Sequence, residues 1–199
     1  MTWHHGSATS AETPFPPKAR PCPVCGKTFA PARPLQSVCS PRCAAKKVKQ
    51  DKADERAKVR TRREGMKTLP VLLKEAQEAF NEFVRLRDAG KPCICCGLPL
   101  SAGDVGGLFD CGHYRSTGSA SHLRFHEDNA HGQRKQCNRW GAGRAVDYRL
   151  GLIARIGLER VEALETNNTP HKWAKDEVRA IRDEYRARVN AAKKGARNG

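Results

Sequence analysis

Seven of the nine cysteines fall in spaced sets. Cys22 and Cys25 form a C-x2-C knuckle, Cys39 and Cys43 form a C-x3-C pair, and thirteen residues lie between the pairs. Four thiolates at this spacing suit a tetrahedral structural zinc. Gly26 permits the tight turn after the knuckle, and Phe29 and Val38 are its expected small core. Cys93 and Cys96 form a second C-x2-C with Cys95 inside it, and Cys137 follows about forty residues on. No apolar h-region of a secretory signal is present, and spaced cysteines in a reducing compartment read as metal ligands before disulfides.

Between Cys96 and Cys137 lie residues suited to phosphodiester hydrolysis. That reaction needs a base to activate water, and His113 is neutral near pH 7. It also needs a cation to stabilise developing charge, and oxygen donors such as Asp110 and the Asn138 amide suit Mg²⁺ or Mn²⁺. Asn129 would orient the loop or the imidazole, or else cap a helix. Arg115 and Arg124 are candidate phosphate grips. In a regular strand Asp110 and His113 point to opposite faces, so convergence on one phosphate requires a bend, which Gly112 permits. His122, His126 and His131 read as surface histidines, as do His4 and His5 in the N-terminal tail.

The elements that must position these groups follow from pattern. Residues 1–18 are polar and proline-rich and read as a disordered tail. Residues 19–45 form the N-terminal four-cysteine zinc module. Residues 46–67 are a basic helix or linker without an apolar stripe; over 44–67, ten Lys or Arg stand against four acids. Lys46, Lys47, Arg62 and Arg63 there are candidate DNA contacts. Residues 68–90 carry Leu69, Leu72, Leu73, Ala76, Phe80, Phe83 and Leu86 in the rhythm of an amphipathic scaffold helix, with Pro70 in its first turn and Gly90 at its end. In the core segment, 91–144, "FDCGHY" and "LRF" are expected to pair as strands, with Cys137 and Asn138 on a following helix. Residues 145–199 are C-terminal helices. Tyr148, Leu152, Ile156 and Val161 lie near one face of the first, interrupted at Gly151 and Gly157; Trp173, Val178, Ile181 and Tyr185 point inward from the last.

The net charge of +16 points to a polyanionic partner, because Lys and Arg neutralise phosphates and release counterions. No stretch approaches the roughly 20 apolar residues of a membrane span, so the expected location is a cytoplasm. At 38% hydrophobic and 6% aromatic residues, small metal-stapled cores fit better than one large core. The order knuckle, strand, loop, strand, helix matches the ββα-metal, or HNH, nuclease module, with His113, Asn129 and Asn138 at its three functional places. The fold class is therefore α+β: a small ββα-metal core with zinc knuckles, flanked by amphipathic helices, plus the N-terminal four-cysteine module.

The stretches "C-x2-C-G-K-x-F-x-P … C-S-P-x-C", "RD-x3-PCI-x-CG", "GHYRST", "LRF-x-E-x-N-x-H", "CN" and "HKW … EVRAIRDEY" run in order along nearly the whole chain beyond the tail. In them the chain resembles the NinG/Rap family of lambdoid-phage recombination nucleases. The resemblance implies a phage protein in the host cytoplasm that cuts branched DNA, including Holliday junctions and D-loops. It implies His113 as general base, Asp110 and Asn138 as ligands of the catalytic divalent metal, and structural zinc at the knuckles. A phage recombinase and a second copy of the chain are further expected partners. A non-catalytic zinc DNA-binding accessory factor is the alternative, and a sequence-reading HNH nuclease is less supported because no usual recognition helix appears. The chain departs from the family at "QRKQCN", where Arg134 stands in place of a third zinc cysteine. Cys93, Cys96 and Cys137 then need a fourth ligand, for which Cys95, Cys111 and His131 are the candidates.

Overall fold

A computed structural model describes residues 18–100, 109–140 and 143–198, apart from the side chains of 197 and 198. The expected N-terminal tail, with His4 and His5, lies outside the described residues but for residue 18. The chain divides into two compact units, Met1–Met66 and Lys67–Gly199.

In the first unit a short antiparallel hairpin, β1 (Arg20–Pro21) with β2 (Thr28–Phe29), brackets the first knuckle. Gly26 takes φ +73°, and its amide donates to the Cys22 carbonyl at 2.9 Å. Helix α1 (Pro41–Gly65) starts on the second cysteine pair: Pro41 pre-sets the first turn, and the Ser40 hydroxyl accepts from the Cys43 amide at 3.3 Å. The four-cysteine module and the basic segment are therefore continuous through one helix. Cys43 is the only buried residue of α1, consistent with its lack of an apolar stripe. Cys22, Val38 and Cys43 form this unit's core, with Phe29 packed against them.

The second unit is built around α2 (Leu69–Asp88) and α5 (Lys175–Asn198). The apolar stripe of α2 supplies Leu72, Ala76, Phe80 and Val84 to one core, and α5 supplies Val178 and Tyr185. Packed with them is a two-stranded antiparallel sheet of β3 (Phe109–His113) and β4 (Ala130–Arg134). Cys111 and Ala130 of this sheet join the α2–α5 core. A second core contains Ile94, Leu123, Tyr148, Leu152, Val161 and Leu164, contributed partly by α3 (Ala145–Ile156) and α4 (Leu158–Thr166). Gly157, at φ +87°, breaks α3 from α4. Gly151 does not break α3: it lets the helix meet the second knuckle, since a Cβ there would lie 1.8 Å from the Ile94 carbonyl oxygen.

The structure corrects the expected strand–loop–strand–helix order in two places. "LRF" is not a strand: Ser121–Leu123 is a single 3-10 turn, and the partner of β3 is Ala130–Arg134. That segment contains a glycine and no β-branched residue, so its strand state comes from tertiary pairing and not from local preference. Consequently Asn129 precedes the second strand and does not follow it. Cys137 and Asn138 sit on a five-residue π-helical turn, Gln136–Trp140, and α3 begins only at Ala145.

Candidate functional site

Four sulfurs converge in the first unit. Those of Cys22, Cys25, Cys39 and Cys43 all lie within 4.8 Å of one another. The Cys25–Cys39 and Cys39–Cys43 separations are 3.5 and 3.7 Å, close to the roughly 3.8 Å edge of a tetrahedron with about 2.3 Å metal–sulfur bonds. Burial raises the Cys22 thiol, but the backbone amides of Cys39, Val24 and Cys25 outweigh it and bring the group down to about 6. Cys39, beside Cys25, is pushed up to about 12. Crowded thiols that cannot all ionise without a cation, on a turn-and-helix-start scaffold, fit a structural zinc.

The second cluster is one ligand short among the described residues. The sulfurs of Cys93, Cys96 and Cys137 lie within 4.8 Å of one another. The Cys93 thiol, assisted first by Cys95 and then by the Arg134 amide at 3.3 Å, is lowered to about 4. None of the three expected fourth ligands joins. The Cys95 sulfur is engaged by the Gln133 side-chain amide at 2.8 Å. Cys111 packs on the α2–α5 core. His131, expected at the surface or on the metal, is buried: its Nδ1 lies 3.1 Å from the Arg87 guanidinium, and its Nε2 lies 3.2 Å from the Asp128 carbonyl oxygen. The trio could hold a metal, but the described residues do not complete a tetrahedron around it.

His113 ends β3 with its ring against Phe80, centroids 6.0 Å apart. Its Nε2 is 3.0 Å from the Arg124 carbonyl oxygen. A carbonyl only accepts, so Nε2 carries the proton and Nδ1 of the neutral ring is an acceptor. Burial lowers the pKa of this imidazole below its ordinary 6.5, only partly opposed by that hydrogen bond. Asn129, with no exposed surface, makes the geometry possible. Its Oδ1 accepts from the Arg115 amide at 2.8 Å, and its Nδ2 donates to the Arg115 and Leu123 carbonyls at 3.0 and 3.1 Å. This clamps both ends of the 115–123 loop, next to the Arg124 carbonyl that faces His113. Both polar atoms of the Asn129 amide are therefore taken up by this loop.

Asp110 and Asn138 do meet: the Asn138 amide nitrogen donates to Asp110 Oδ2 at 3.2 Å, leaving its Oδ1 for another partner. Arg139 holds both carboxylate oxygens of Asp110, at 2.8 and 3.1 Å. The expected bend at Gly112 is absent, because β3 and β4 pair residue for residue from Phe109↔Arg134 to His113↔Ala130. Alternation therefore leaves Asp110 and His113 on opposite faces of the sheet. Gly112 serves close packing instead: a Cβ there would overlap the Gln133 side-chain oxygen at 2.0 Å. Asn138 thus turns its nitrogen to Asp110, and the carboxylate's two oxygens are already paired with Arg139.

Of the two arginines expected to grip phosphate, Arg115 is engaged within the protein and Arg124 makes a single side-chain contact. Arg115 Nη1 donates to the carbonyls of Leu164 and Asn167 at 2.9 and 2.6 Å, tying the loop to the end of α4. Arg124 Nη1 donates to the Gln77 side chain at 3.3 Å. On α1, Lys46, Arg62 and Arg63 are exposed, and Lys47 is half-buried and paired with Asp51 at 3.0 Å. Sequence reasoning missed Arg139, whose only signal was adjacency to Asn138, and the exposed Trp140 that follows it.

Residues 15–195 match the family model described as bacteriophage lambda NinG protein. The chain belongs to the NinG family. Among its relatives, protein ninG of Escherichia phage lambda is 38% identical over 184 residues, covering 83% of this chain and 88% of the relative. Protein ninG of Salmonella phage P22 is 37% identical over 184 residues, with the same coverage. Protein ninG of Escherichia phage 933W is 35% identical over 192 residues, covering 87% of this chain and 93% of the relative. No solved structure matches the chain. The NinG match spans both cysteine clusters and the β3–β4 sheet. No helix of the described residues is long and apolar enough to cross a membrane.

Proposed function

We propose that this NinG-family chain is a metal-dependent, structure-specific endonuclease of phage recombination. It hydrolyses phosphodiesters in branched DNA, Holliday junctions and D-loops included, in the host cytoplasm. The observation that carries the reading is the tautomer of His113. With Nε2–H held by the Arg124 carbonyl at 3.0 Å, Nδ1 is an oriented acceptor, and its lowered pKa keeps it unprotonated at neutral pH. In this reading Nδ1 takes the proton of the attacking water, and Asn129 maintains the ring's orientation through the loop it clamps. Asp110 and the Asn138 oxygen would hold Mg²⁺ or Mn²⁺, which supplies charge stabilisation at the phosphoryl oxygens. Arg139 lies on Asp110, and an arriving phosphate gives its guanidinium a second anionic partner.

A second reading, a non-catalytic zinc-folded DNA-binding accessory factor, is favoured by one specific observation: Asp110 and His113 occupy opposite faces of an unbent strand pair. A labelled four-way junction and a matched linear duplex, incubated with Mg²⁺, Mn²⁺ or EDTA, separate the two. The expected result is metal-dependent nicking of the junction, reduced at least ~10²-fold in His113→Ala while binding stays within a few-fold. The rate is flat above the ordinary histidine range and falls as pH drops through the depressed His113 pKa, where the base becomes protonated. Junction binding without cleavage in either metal establishes the accessory factor instead.

A further inference from the structure

Trp140 is 85% exposed at the end of the π-helical turn, two residues beyond Asn138. It is the most exposed aromatic side chain among the described residues. It does not stand alone on a flat surface. With Cys96, Leu98, Arg134, Gln136, Cys137 and Arg144 it lines an open recess of about 520 Å³ beside the second cysteine cluster, within the ~300–1,000 Å³ of small-ligand pockets. The apolar part of the recess is the Trp140 indole, the half-exposed Leu98 and two thiols of the second cluster, Cys96 and Cys137; its charged part is two guanidiniums. Among the described residues no acidic side chain lines it. Arg144 is held at the rim by an unusual backbone, φ +47°, and by Asp147 at 2.7 Å.

An aromatic face with cationic neighbours has a specific complement: a planar, apolar-faced group that carries a negative charge next to it. An unpaired nucleobase with its phosphate is that group, and stacking of this kind is indifferent to base identity. A base inside a duplex has both faces stacked and only the end pairs leave one open, so such a recess would favour single strands over duplex. We propose that the Trp140 recess is a stacking site for an unpaired base of DNA. This inference rests on the DNA reading above and adds to it a reason for branch selectivity.

The chain has three tryptophans, and Trp173 is packed against Phe125. In the full chain carrying Trp3→Phe and Trp173→Phe, Trp140 is the sole indole reporter. Titration with an oligo(dT) of about twelve nucleotides, a length typical of single-strand sites, should quench its emission, and a blunt duplex of equal length should quench it much less. Trp140→Ala, otherwise wild type, should weaken oligo(dT) binding by about tenfold and leave duplex binding within about twofold, while Trp140→Phe retains most of the affinity. Wild-type protein that binds neither DNA overturns this inference and the proposed function together. Binding of both DNAs that is indifferent to Trp140→Ala overturns this inference alone. A concentration-dependent blue shift of Trp140 emission without DNA makes the recess a contact between two copies of the chain and also overturns it.

Discussion

Asp88 has no exposed surface, yet it is an ionised carboxylate. Burial raises its pKa, but His131 and the Arg87 guanidinium overcome that and hold it far below the ordinary carboxylate value. Its oxygens accept from Arg87 at 2.9 Å, from Lys91 at 3.1 Å and from the Gly132 amide at 2.8 Å. The last bond ties the end of α2 to the middle of β4, so one side chain fixes where the sheet meets the scaffold helix. Gly132 is required at that point because a Cβ would lie 2.4 Å from Leu100 Cδ1 and 3.1 Å from Asp88 Cβ. Asp88→Asn keeps the shape but leaves the partly buried Arg87 only the more distant Glu127 carboxylate, at 3.8 Å, as counter-charge. It should destabilise the second unit by about 3–5 kcal/mol, read as a lower urea midpoint with an unchanged slope. A change below about 1 kcal/mol, the scale of an exposed pair, would mean that solvent and Glu127, and not Asp88, neutralise Arg87.

At the scale of elements, metal and helix start are one device in the first unit. Cys43 lies in the first turn of α1, and the Cys39–Cys43 sulfur contact joins that turn to the preceding loop. Among the described residues the unit's buried core is three side chains, two of them cysteines, too few to fold a segment of this size without a staple. Removing zinc with a chelator, or Cys39→Ser, should therefore abolish the ordered hairpin while leaving the melting of the second unit in place, as followed by amide exchange. The second cluster differs in that only three thiols converge among the described residues, and the family resemblance implies that Arg134 stands at the missing position. Metal analysis should find nearer one tightly held zinc per chain than two. Arg134→Cys supplies a fourth thiolate on the same strand end and should raise the count toward two, with tetrahedral four-sulfur absorption on Co²⁺ substitution. A wild-type chain that already holds two zinc ions with chelator resistance equal at both sites would contradict this.

For the whole molecule, charge is the governing property. The net +16 is distributed over the chain, and α1 displays its share on a helix with a single buried residue. Such a surface acts through counterion release and not through shape. Raising salt from about 50 to about 200 mM should weaken DNA binding by orders of magnitude, about 10³-fold if six or more phosphates are contacted. Changing Lys46, Lys47, Arg62 and Arg63 together to Gln should reduce the log–log salt slope by roughly 3 to 4 if each meets one phosphate. An unchanged slope would remove α1 from the contact surface.

Much of this was legible in the residues alone. The Cys22–Cys43 cluster follows from spacing, because ligands close in sequence on a knuckle and a helix start have little freedom but to converge. The buried stripe of α2 follows from its period, since a helix with one apolar face must cover it. The +16 charge needs no fold at all to imply a polyanion. Tertiary structure decided what local pattern cannot encode. β4 is a strand only because β3 pairs with it, so nothing local marks Asn129 as preceding a strand or Asn138 as riding a π-helical turn. Whether Gly112 bends the chain or admits Gln133, and whether Arg115 meets DNA or the end of α4, depends on groups far along the chain. Competition among long-range partners for one donor or one gap is settled only when all of them are packed at once.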